Sequence, residues 1–532
     1  MSFFAKPFHP RTIVLAVSAF LVLFTNGSFF RHVIDTYGLS WSMAPMIVSL
    51  GVVLVAVLVI VFTLFSSRYI LKPFLIAVLL ISSLTAYFMN TYDIIVDKLM
   101  IQNILETNLH ESSDLLSIQQ VLYFLILGVL PSIVVYRMKI KPMKVKRALL
   151  EGIESIGISL VVGVILIFVF SKFYTSFFRE HAPLRSYTNP ANYLYSIGEY
   201  VHESFSHPVT GLKIIGHDAH IATHSGPRKL VVLVVGEAVR ADHFSLNPYV
   251  RETTPLLKKE DVVNFSQFTS SGTETAVSVP CMFSCYGREA YDRDIAAHTE
   301  NVLDVLKHAG ANILWRDNNS DSKGVAERLE YEDYKSSDKN TMCEDGECRD
   351  EGMLVGLQEY INVHPKGDIV IVLHQMGNHG PAYYKRYPKA FEKYTPVCKT
   401  NQLEQCSQAE ITNAYDNAIL YTDYFLSKVI GLLKENDKQF ETAMFYLSDH
   451  GESLGEKGLY LHGFPYAIAP DAQKHVPAVM WFGKQFKVNK SGLKKRASQP
   501  YTHDYLFHTM LGFIEVNSSA YRSELDILHG MR

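Results

Sequence analysis

Hydrophobic positions along the chain follow two different regimes. Up to about residue 175 they form long unbroken runs, whereas from residue 229 they come as short β-branched bursts between helical stretches. Five apolar stretches in the first regime, at about 12–30, 43–66, 70–89, 119–136 and 154–173, reach or approach the ~20 residues that cross a bilayer as a helix. "GVVLVAVLVIVFTLF" and "GISLVVGVILIFVF" carry no polar stripe, which a helix half-buried in a soluble core would need. The first stretch follows Lys6 and Arg11 but has no small-residue cleavage site, so it is read as an anchor and not a removed signal. The expected organisation is a five-helix transmembrane domain over residues 1–173, an interfacial linker over 174–228, and a catalytic domain over 229–532.

Loop charges orient the membrane half. Basic residues occupy the N-terminus, the second connection (Arg68, Lys72) and the fourth, "RMKIKPMKVKR", while the third connection holds Asp93, Asp97, Glu106, Glu111 and Asp114. Basic loops stay in the cytoplasm, so the N-terminus is expected inside and everything after the fifth span outside. Tyr and Phe mixed with charge in "YTSFFREHAPLRSYTNPANYLYSIGEYVHESF" suit a segment at the headgroup level. All six cysteines lie in the second half, as the close pairs 281/285, 343/348 and 398/406. That usage points to disulfides in an oxidising compartment, with neighbours expected to pair. A net charge of −3 leaves no basic surface for nucleic acid.

In the second half, "KLVVLVV", "ANILW", "DIVIVL" and "TAMFYL" read as parallel strands covered on both faces. "NVLDVLKHAG" and "EITNAYDNAILYTDYFLSKVIGLLKEN" read as helices between them, which makes the domain an α/β sandwich. Ligands of such sheets gather beyond the carboxyl ends of the strands. Three strands deliver metal-capable side chains there: Glu237 after the first, His374 and His379 after "DIVIVL", and Asp449 and His450 after "TAMFYL". An oxygen and nitrogen set without thiolate suits zinc, with manganese a weaker choice. A nucleophile could come from "FTSSGTETAVSVPCMFS", in which Ser270, Ser271, Thr273, Thr275 and Ser278 are all candidates.

Four motifs, "GEAVRADH", "GTETAVSVPCMFS", "HQMGNHGPAYYKRYP" and "SDHGESLGEKGLYLHG", occur in the order and spacing of a known family. The chain resembles the phosphoethanolamine–lipid A transferases, which include the mobile colistin-resistance enzymes and belong to the alkaline phosphatase and sulfatase superfamily. Carried over by position, the resemblance implies that Glu237, Thr275, Asp449 and His450 bind zinc, with Thr275 also the nucleophile. It implies that His379 and His462 protonate the leaving lipid alkoxide or bind a second zinc during turnover, that Glu452 binds substrate or metal, and that Asn319 and Lys323 bind the substrate phosphate. In the membrane half, Tyr92, Asn103, Thr107 and Glu111 resemble positions that contact the donor headgroup.

The implied enzyme is a zinc-dependent transferase of a Gram-negative inner membrane, with its catalytic domain in the periplasm. It moves phosphoethanolamine from phosphatidylethanolamine to a lipid A phosphate through a covalent threonine intermediate, giving resistance to polymyxins, and it is expected to act as a monomer. The alternatives are another acceptor (a lipopolysaccharide core sugar or a protein) or a related phosphoglycerol transferase or sulfatase. The resemblance favours disulfides Cys343–Cys348 and Cys398–Cys406. Ser271 stands where family members usually carry a cysteine that pairs with the one at 281, so Cys281–Cys285 is the remaining expectation.

Overall fold

The computed structural model describes residues 7–98, 100–101, 104, 116–179, 181–206, 211–221, 226–401 and 403–532. Two compact units emerge, one whose described residues end at Ser206 and one that runs on from Gly211 to Arg532.

In the first unit, α1 (Pro10–Thr25) and α2 (Gly27–Tyr37) are followed by α3 (Ala44–Leu64), α4 (Leu71–Tyr92), α5 (Ile118–Arg137) and α6 (Val145–Val169). The last four are each long and apolar enough to span a membrane, and α1 with α2 makes a fifth candidate only if the bent pair is one span. The expected straight span at 12–30 is instead bent by 60° at Asn26. Side-chain chemistry accounts for the break. Asn26 Nδ2 donates to the Leu21 carbonyl (3.1 Å) and the Asn189 carbonyl (2.5 Å), and its Oδ1 accepts the Asn189 N–H. These bonds replace the helical ladder where it stops, so the backbone polar groups stay satisfied in an apolar setting. Residues after α6 pack into this same unit: α7 (Ser171–Arg179) brings Tyr174 to Ser49, and α8 (Ala191–Ser206) brings Tyr193 to Ser82.

The second unit is built on an eight-stranded sheet of β1 (Arg228–Gly236), β2 (Val262–Thr269), β3 (Asn312–Asp317), β4 (Glu330–Asp333), β5 (Ile369–His374), β6 (Phe440–Ser448), β7 (His475–Phe482) and β8 (Tyr501–Thr502). Their spatial order is β8-β2-β7-β6-β1-β5-β3-β4, and β7 alone runs antiparallel to its neighbours. The central strands are buried along their length, as their unbroken Val, Leu and Ile runs require. On one face Val231, Leu233 and Val235 share a core with α9 (Thr275–Phe283), α10 (Val302–His308) and α12 (Asp504–Ile514). The long helix α11 (Gln408–Asn436) packs on β6 and contributes nothing to that core, so it covers the other face. Ser407 and Glu410 close the start of α11 with a reciprocal capping box.

Strand register sets the stage for the site. Gly236 lies opposite Ser448, Val235 opposite His374, and His374 opposite Asp317. The carboxyl ends of β6, β1, β5 and β3 therefore finish side by side.

Cys343–Cys348 and Cys398–Cys406 are disulfide-bonded. Cys281 and Cys285 are free thiols, which corrects the expectation of a third bridge. Cys281 is buried within α9, but the helix ends at Phe283 and Ser284 is extended, so the chain turns away before Cys285. Alkylation of the denatured, unreduced protein should therefore label two thiols, and four more should appear only after reduction; mass spectrometry of the alkylated protein reads the count.

Candidate active site

Three of the four aligned strands lead into side chains of the site. Glu237 follows β1, Asp449 and His450 follow β6, and Asn319 lies two residues beyond β3. Glu237, Asp449 and His450 are each fully buried, and one ligand atom from each lies within 4.8 Å of the others. Buried carboxylates are costly unless paired or bound to metal. Here Glu237 Oε1 is 3.2 Å from His450 Nε2 without making a hydrogen bond, and Asp449 Oδ2 has no hydrogen-bond partner. The remaining carboxylate oxygens are occupied: Asp449 Oδ1 accepts the Ala238 and His450 N–H groups, and Glu237 Oε2 accepts from Thr275 and Asn319.

Of the five hydroxyls that compete in the sequence, only that of Thr275 meets this cluster. Its Oγ1 is 2.9 Å from Glu237 Oε2 and 3.4 Å from His450 Nε2. Ser270 turns to the Gly272 carbonyl, Thr273 to that of Phe464 and Ser278 to that of Asp449, while Ser271 Oγ is buried without a partner. Thr275 is also the first residue of α9, where backbone N–H groups and the helix dipole favour an anion.

His450 Nδ1 faces the Gly451 carbonyl at 2.8 Å, so that nitrogen carries hydrogen and Nε2 is the one turned to the carboxylates and Thr275. Two carboxylates, an imidazole nitrogen and an alcohol oxygen form a set that fits a divalent cation of zinc type. Their charge balance says the same. Burial works against charge on His450, but Asp449 and Glu237 outweigh it and push the imidazole up to about 10. Burial and the neighbouring Glu237 charge push Asp449 up to about 6. Glu237 stays well below the usual carboxylate range despite its burial, because His450 faces it.

A second group lies alongside. Glu452 accepts from Tyr383 at 2.6 Å and from His462 Nδ1 at 2.8 Å, and the His462 ring sits 4.4 Å from that of His450 and 6.0 Å from that of His379. His450, Glu452 and His462 could hold another cation. His379 Nδ1 is buried without a hydrogen-bond partner, and burial together with nearby cations pushes His379 down to about 4. His462 moves the other way: burial opposes its charge, but the Glu452 carboxylate raises it.

Other predicted residues are placed differently. Asn319 is in the cluster, yet its amide donates to Glu237 and to the Gln375 carbonyl, both at 2.8 Å. Lys323 is 7% exposed, lies 3.7 Å from Asp321, and makes no hydrogen bond to the cluster. Tyr92, in the first unit, is buried with its hydroxyl 3.4 Å from that of Tyr87. Asn103, Thr107 and Glu111 lie outside the described residues. His374, a strand-end candidate, turns to Asp317 at 2.9 Å instead of joining the cluster. Asp317 was not anticipated, although it ends the strand "NILWRD" and the same strand-end logic points to it. Gly377 was missed too. At its φ of +49°, a Cβ would lie 2.9–3.1 Å from Glu237 backbone and Cβ atoms, so only glycine lets this loop close over the acid.

Comparison with known proteins agrees with this geometry. Residues 54–205 match the family Phosphoethanolamine transferase EptA/EptB, and residues 229–516 match the Sulfatase family. The chain is 44% identical to phosphatidylethanolamine transferase Mcr-2 of Escherichia coli over 529 residues, covering 97% of each. It belongs to the phosphoethanolamine transferases. It is also 40% identical to phosphoethanolamine transferase EptA of Salmonella typhimurium, covering 98% of this chain and 96% of that one. Among solved structures, the integral membrane lipooligosaccharide phosphoethanolamine transferase A of Neisseria meningitidis superposes with a TM-score of 0.95 at 35% identity, covering 99% of this chain and 100% of that one. The transferase is thus a membrane unit with four to five candidate spans joined to an alkaline-phosphatase-like α/β domain.

Proton competition predicts how metal affinity of the transferase depends on pH. With His450 at about 10 and Asp449 at about 6, a cation must displace one proton between those values and two below pH 6. Zinc affinity should rise roughly 10-fold per pH unit from 6 to 9, and more steeply below 6. Competition with a chromophoric chelator measures this, together with proton release on binding. Gly377→Ala should weaken the affinity at every pH without altering the slope.

Proposed function

We propose that this protein transfers phosphoethanolamine from phosphatidylethanolamine to a phosphate of lipid A, with Thr275 carrying the group between donor and acceptor. The observation that carries the reading is the Thr275 hydroxyl on Glu237, at the mouth of a buried site with more carboxylate than its own cations neutralise. Such a site favours a bound divalent cation, and the implied donor set is Glu237, Thr275, Asp449 and His450, with zinc the ion whose preferences they meet. A second zinc during turnover would draw on His379 and His462, with Glu452 beside them. When bound, the cation supplies positive charge that acidifies a neighbouring hydroxyl and stabilises the charged transition state.

The chain's own residues account for the rest. Thr275 Oγ passes its proton to Glu237 Oε2 and attacks phosphorus; an Oγ–P bond forms as the bond from phosphorus to the diacylglycerol oxygen breaks. Glu237, 2.9 Å from Oγ1, holds the hydroxyl in line, and the start of α9 faces the developing negative charge. The departing oxygen takes a proton from His462, whose charged form Glu452 favours against burial and whose ring it fixes through Nδ1–H. In the second half a lipid A phosphate oxygen attacks the same phosphorus and the P–Oγ bond breaks, Thr275 oxygen taking its proton back from Glu237. His379, held neutral, is the group suited to accept the proton carried by the attacking phosphate hydroxyl. The opposed shifts of the two histidines support this division of labour. Asn319 and Lys323 complete the reading as residues that take the donor phosphate, Asn319 by exchanging its partners Glu237 and Gln375 for it, and Tyr92 as part of the donor contact in the membrane unit.

The reading also fixes a setting. The five spans count the bent α1–α2 pair as one, the N-terminus lies in the cytoplasm, and the catalytic unit, bounded at about residue 229, lies in the periplasm of a Gram-negative cell. The disulfides support an oxidising compartment. The phosphoethanolamine ammonium adds positive charge to an anionic lipid head and weakens its attraction for polymyxins. A different acceptor, such as a core sugar or a protein, would use the same donor half-reaction.

The test is mass spectrometry of the purified, zinc-loaded protein incubated with phosphatidylethanolamine and no acceptor. Thr275 should carry one phosphoethanolamine, Thr275→Ala should lose transfer by at least about 1,000-fold, and lipid A from cells with the wild type should gain the group. An active preparation that never modifies Thr275 overturns the covalent route, and an unmodified lipid A with another labelled lipid or protein reassigns the acceptor.

A further inference from the structure

The residue that carries the nucleophile is gripped from a distant part of the chain. His503, the residue just before α12, is fully buried. Its backbone N–H donates to the Thr269 carbonyl at the end of β2. Its Nδ1 lies 3.1 Å from the Ser271 backbone N–H and 3.2 Å from Ser278 Oγ, and its Nε2 lies 3.0 Å from the Ser448 carbonyl. A backbone N–H can only donate and a carbonyl can only accept. One tautomer satisfies both: Nδ1 accepts from Ser271, and Nε2–H donates to Ser448. Burial keeps this ring neutral, pushing it down to about 3, so the donor and acceptor assignment does not change with pH.

Both ends of this bridge matter. Ser448 immediately precedes Asp449 and His450, and Ser271 lies in the turn that leads to Thr275. Ser278, one turn into α9, donates to the Asp449 carbonyl at 2.5 Å. The Ser271 carbonyl is fixed as well, by Arg288 Nη1 at 2.5 Å. Arg288 is itself fixed: its backbone N–H donates to the Asp504 carboxylate at 2.8 Å, and its guanidinium lies over the Tyr466 ring. Tyr466 donates in turn to the Ser270 carbonyl at 2.9 Å. Thus two consecutive residues, His503 and Asp504, hold the chain before α9 and the chain after it, and tie the first to the strand end that bears the metal-type ligands.

We propose that His503 is a positioning residue for phosphoryl transfer, setting the distance between the Thr275 hydroxyl and the Asp449–His450 ligands, with Arg288 and Asp504 as the other half of the clamp. His503 touches neither substrate nor the reacting atoms. Its effect passes through the Ser271 turn, which no residue of the cluster otherwise restrains by a side-chain bond to its N–H. The proposal rests on Thr275 being the nucleophile. A displacement of about 1 Å at an attacking atom costs on the order of 100-fold in rate even where binding is intact.

The experiment uses the full-length, zinc-loaded protein in detergent with micellar phosphatidylethanolamine as probe, and follows formation of the Thr275 adduct. His503→Asn offers an acceptor near Nδ1 and loses the donor to Ser448; His503→Gln offers a donor near Nε2 and loses the acceptor for Ser271. His508→Asn is the control, a buried histidine further along α12 whose partner is Arg522. Arg288→Gln, at a partly exposed position, removes the second restraint with less cost to folding. Each His503 variant should form adduct about 100-fold more slowly at saturating donor, with KM and zinc content unchanged. Arg288→Gln should slow it about 10-fold in the same way, and His508→Asn should keep the wild-type rate. Adduct formation at the wild-type rate in the His503 variants, or zinc loss in step with the rate, overturns the proposal. So does an equal slowing in His508→Asn. Should the His503 variants not fold, a wild-type rate in Arg288→Gln overturns it alone. If the wild type itself forms no Thr275 adduct, it is the underlying reading that fails, which separates the two outcomes.

Discussion

The structure of the second unit turns on one electrostatic problem: two carboxylates, Glu237 and Asp449, are buried within ligand distance of each other. Like charges in a low-dielectric interior repel strongly, and the cost falls only when a positive charge sits between them. His450 supplies part of it, at 3.2 Å from one acid and 3.5 Å from the other. The protonation pattern shows the stress, for Asp449 is driven towards its neutral form while His450 holds its proton far beyond its ordinary range. A divalent ion relieves both distortions at once. The same excess of negative charge that suits the site to a cation would make an ionised Thr275 oxygen unfavourable without one.

Bringing the two acids together is the work of the sheet. Parallel strands in register end at one level, and each ends beside a neighbour whose next residue carries the chemistry. The loops that follow are drawn tight. Ala238, next to Glu237, has a φ of +56°, and Lys323, Lys457 and Leu461 are also in the left-handed region that non-glycine residues rarely adopt. Ala238 is held there by its N–H on Asp449 and by Tyr415, whose hydroxyl donates to the Ala238 carbonyl at 2.5 Å. Such conformations persist where the surroundings over-determine them, as those bonds do at Ala238.

Much of this was readable in the chain, for a definable reason. Long apolar runs, loop charges and strand-end acids are local or periodic features, so Glu237, Asp449 and His450 stand out before any contact is known. Choosing Thr275 among five hydroxyls needed the family resemblance, because which hydroxyl meets Glu237 depends on how the Ser271 turn is held. What could not be read is what depends on distant partners. The 60° bend at Asn26 needs Asn189, far along the chain. The free state of Cys281 and Cys285 depends on where α9 ends, which spacing does not show. The partners of Asn319, whose amide nitrogen donates to Glu237 and to the Gln375 carbonyl, are of the same distant kind.

The buried Asp317–His374 pair shows how far the polar order reaches behind the site. His374 ends β5 and Asp317 ends β3, and Trp315 adds its indole N–H to Asp317 at 2.8 Å. Beyond it, Asp350 accepts from Asn318, Gln375, Met376 and Gly377, the residues that follow those same two strands. Gly377 then packs against Glu237. The loop over the acid is thus anchored on its far side by a carboxylate that makes no contact with the cluster. Buried polar networks of this kind specify one arrangement more sharply than apolar packing does, because a slipped register would strand several buried donors. Position, more than reactivity, is what these outlying acids contribute: they fix the loop that lies against Glu237, and with it the acid that accepts from Thr275.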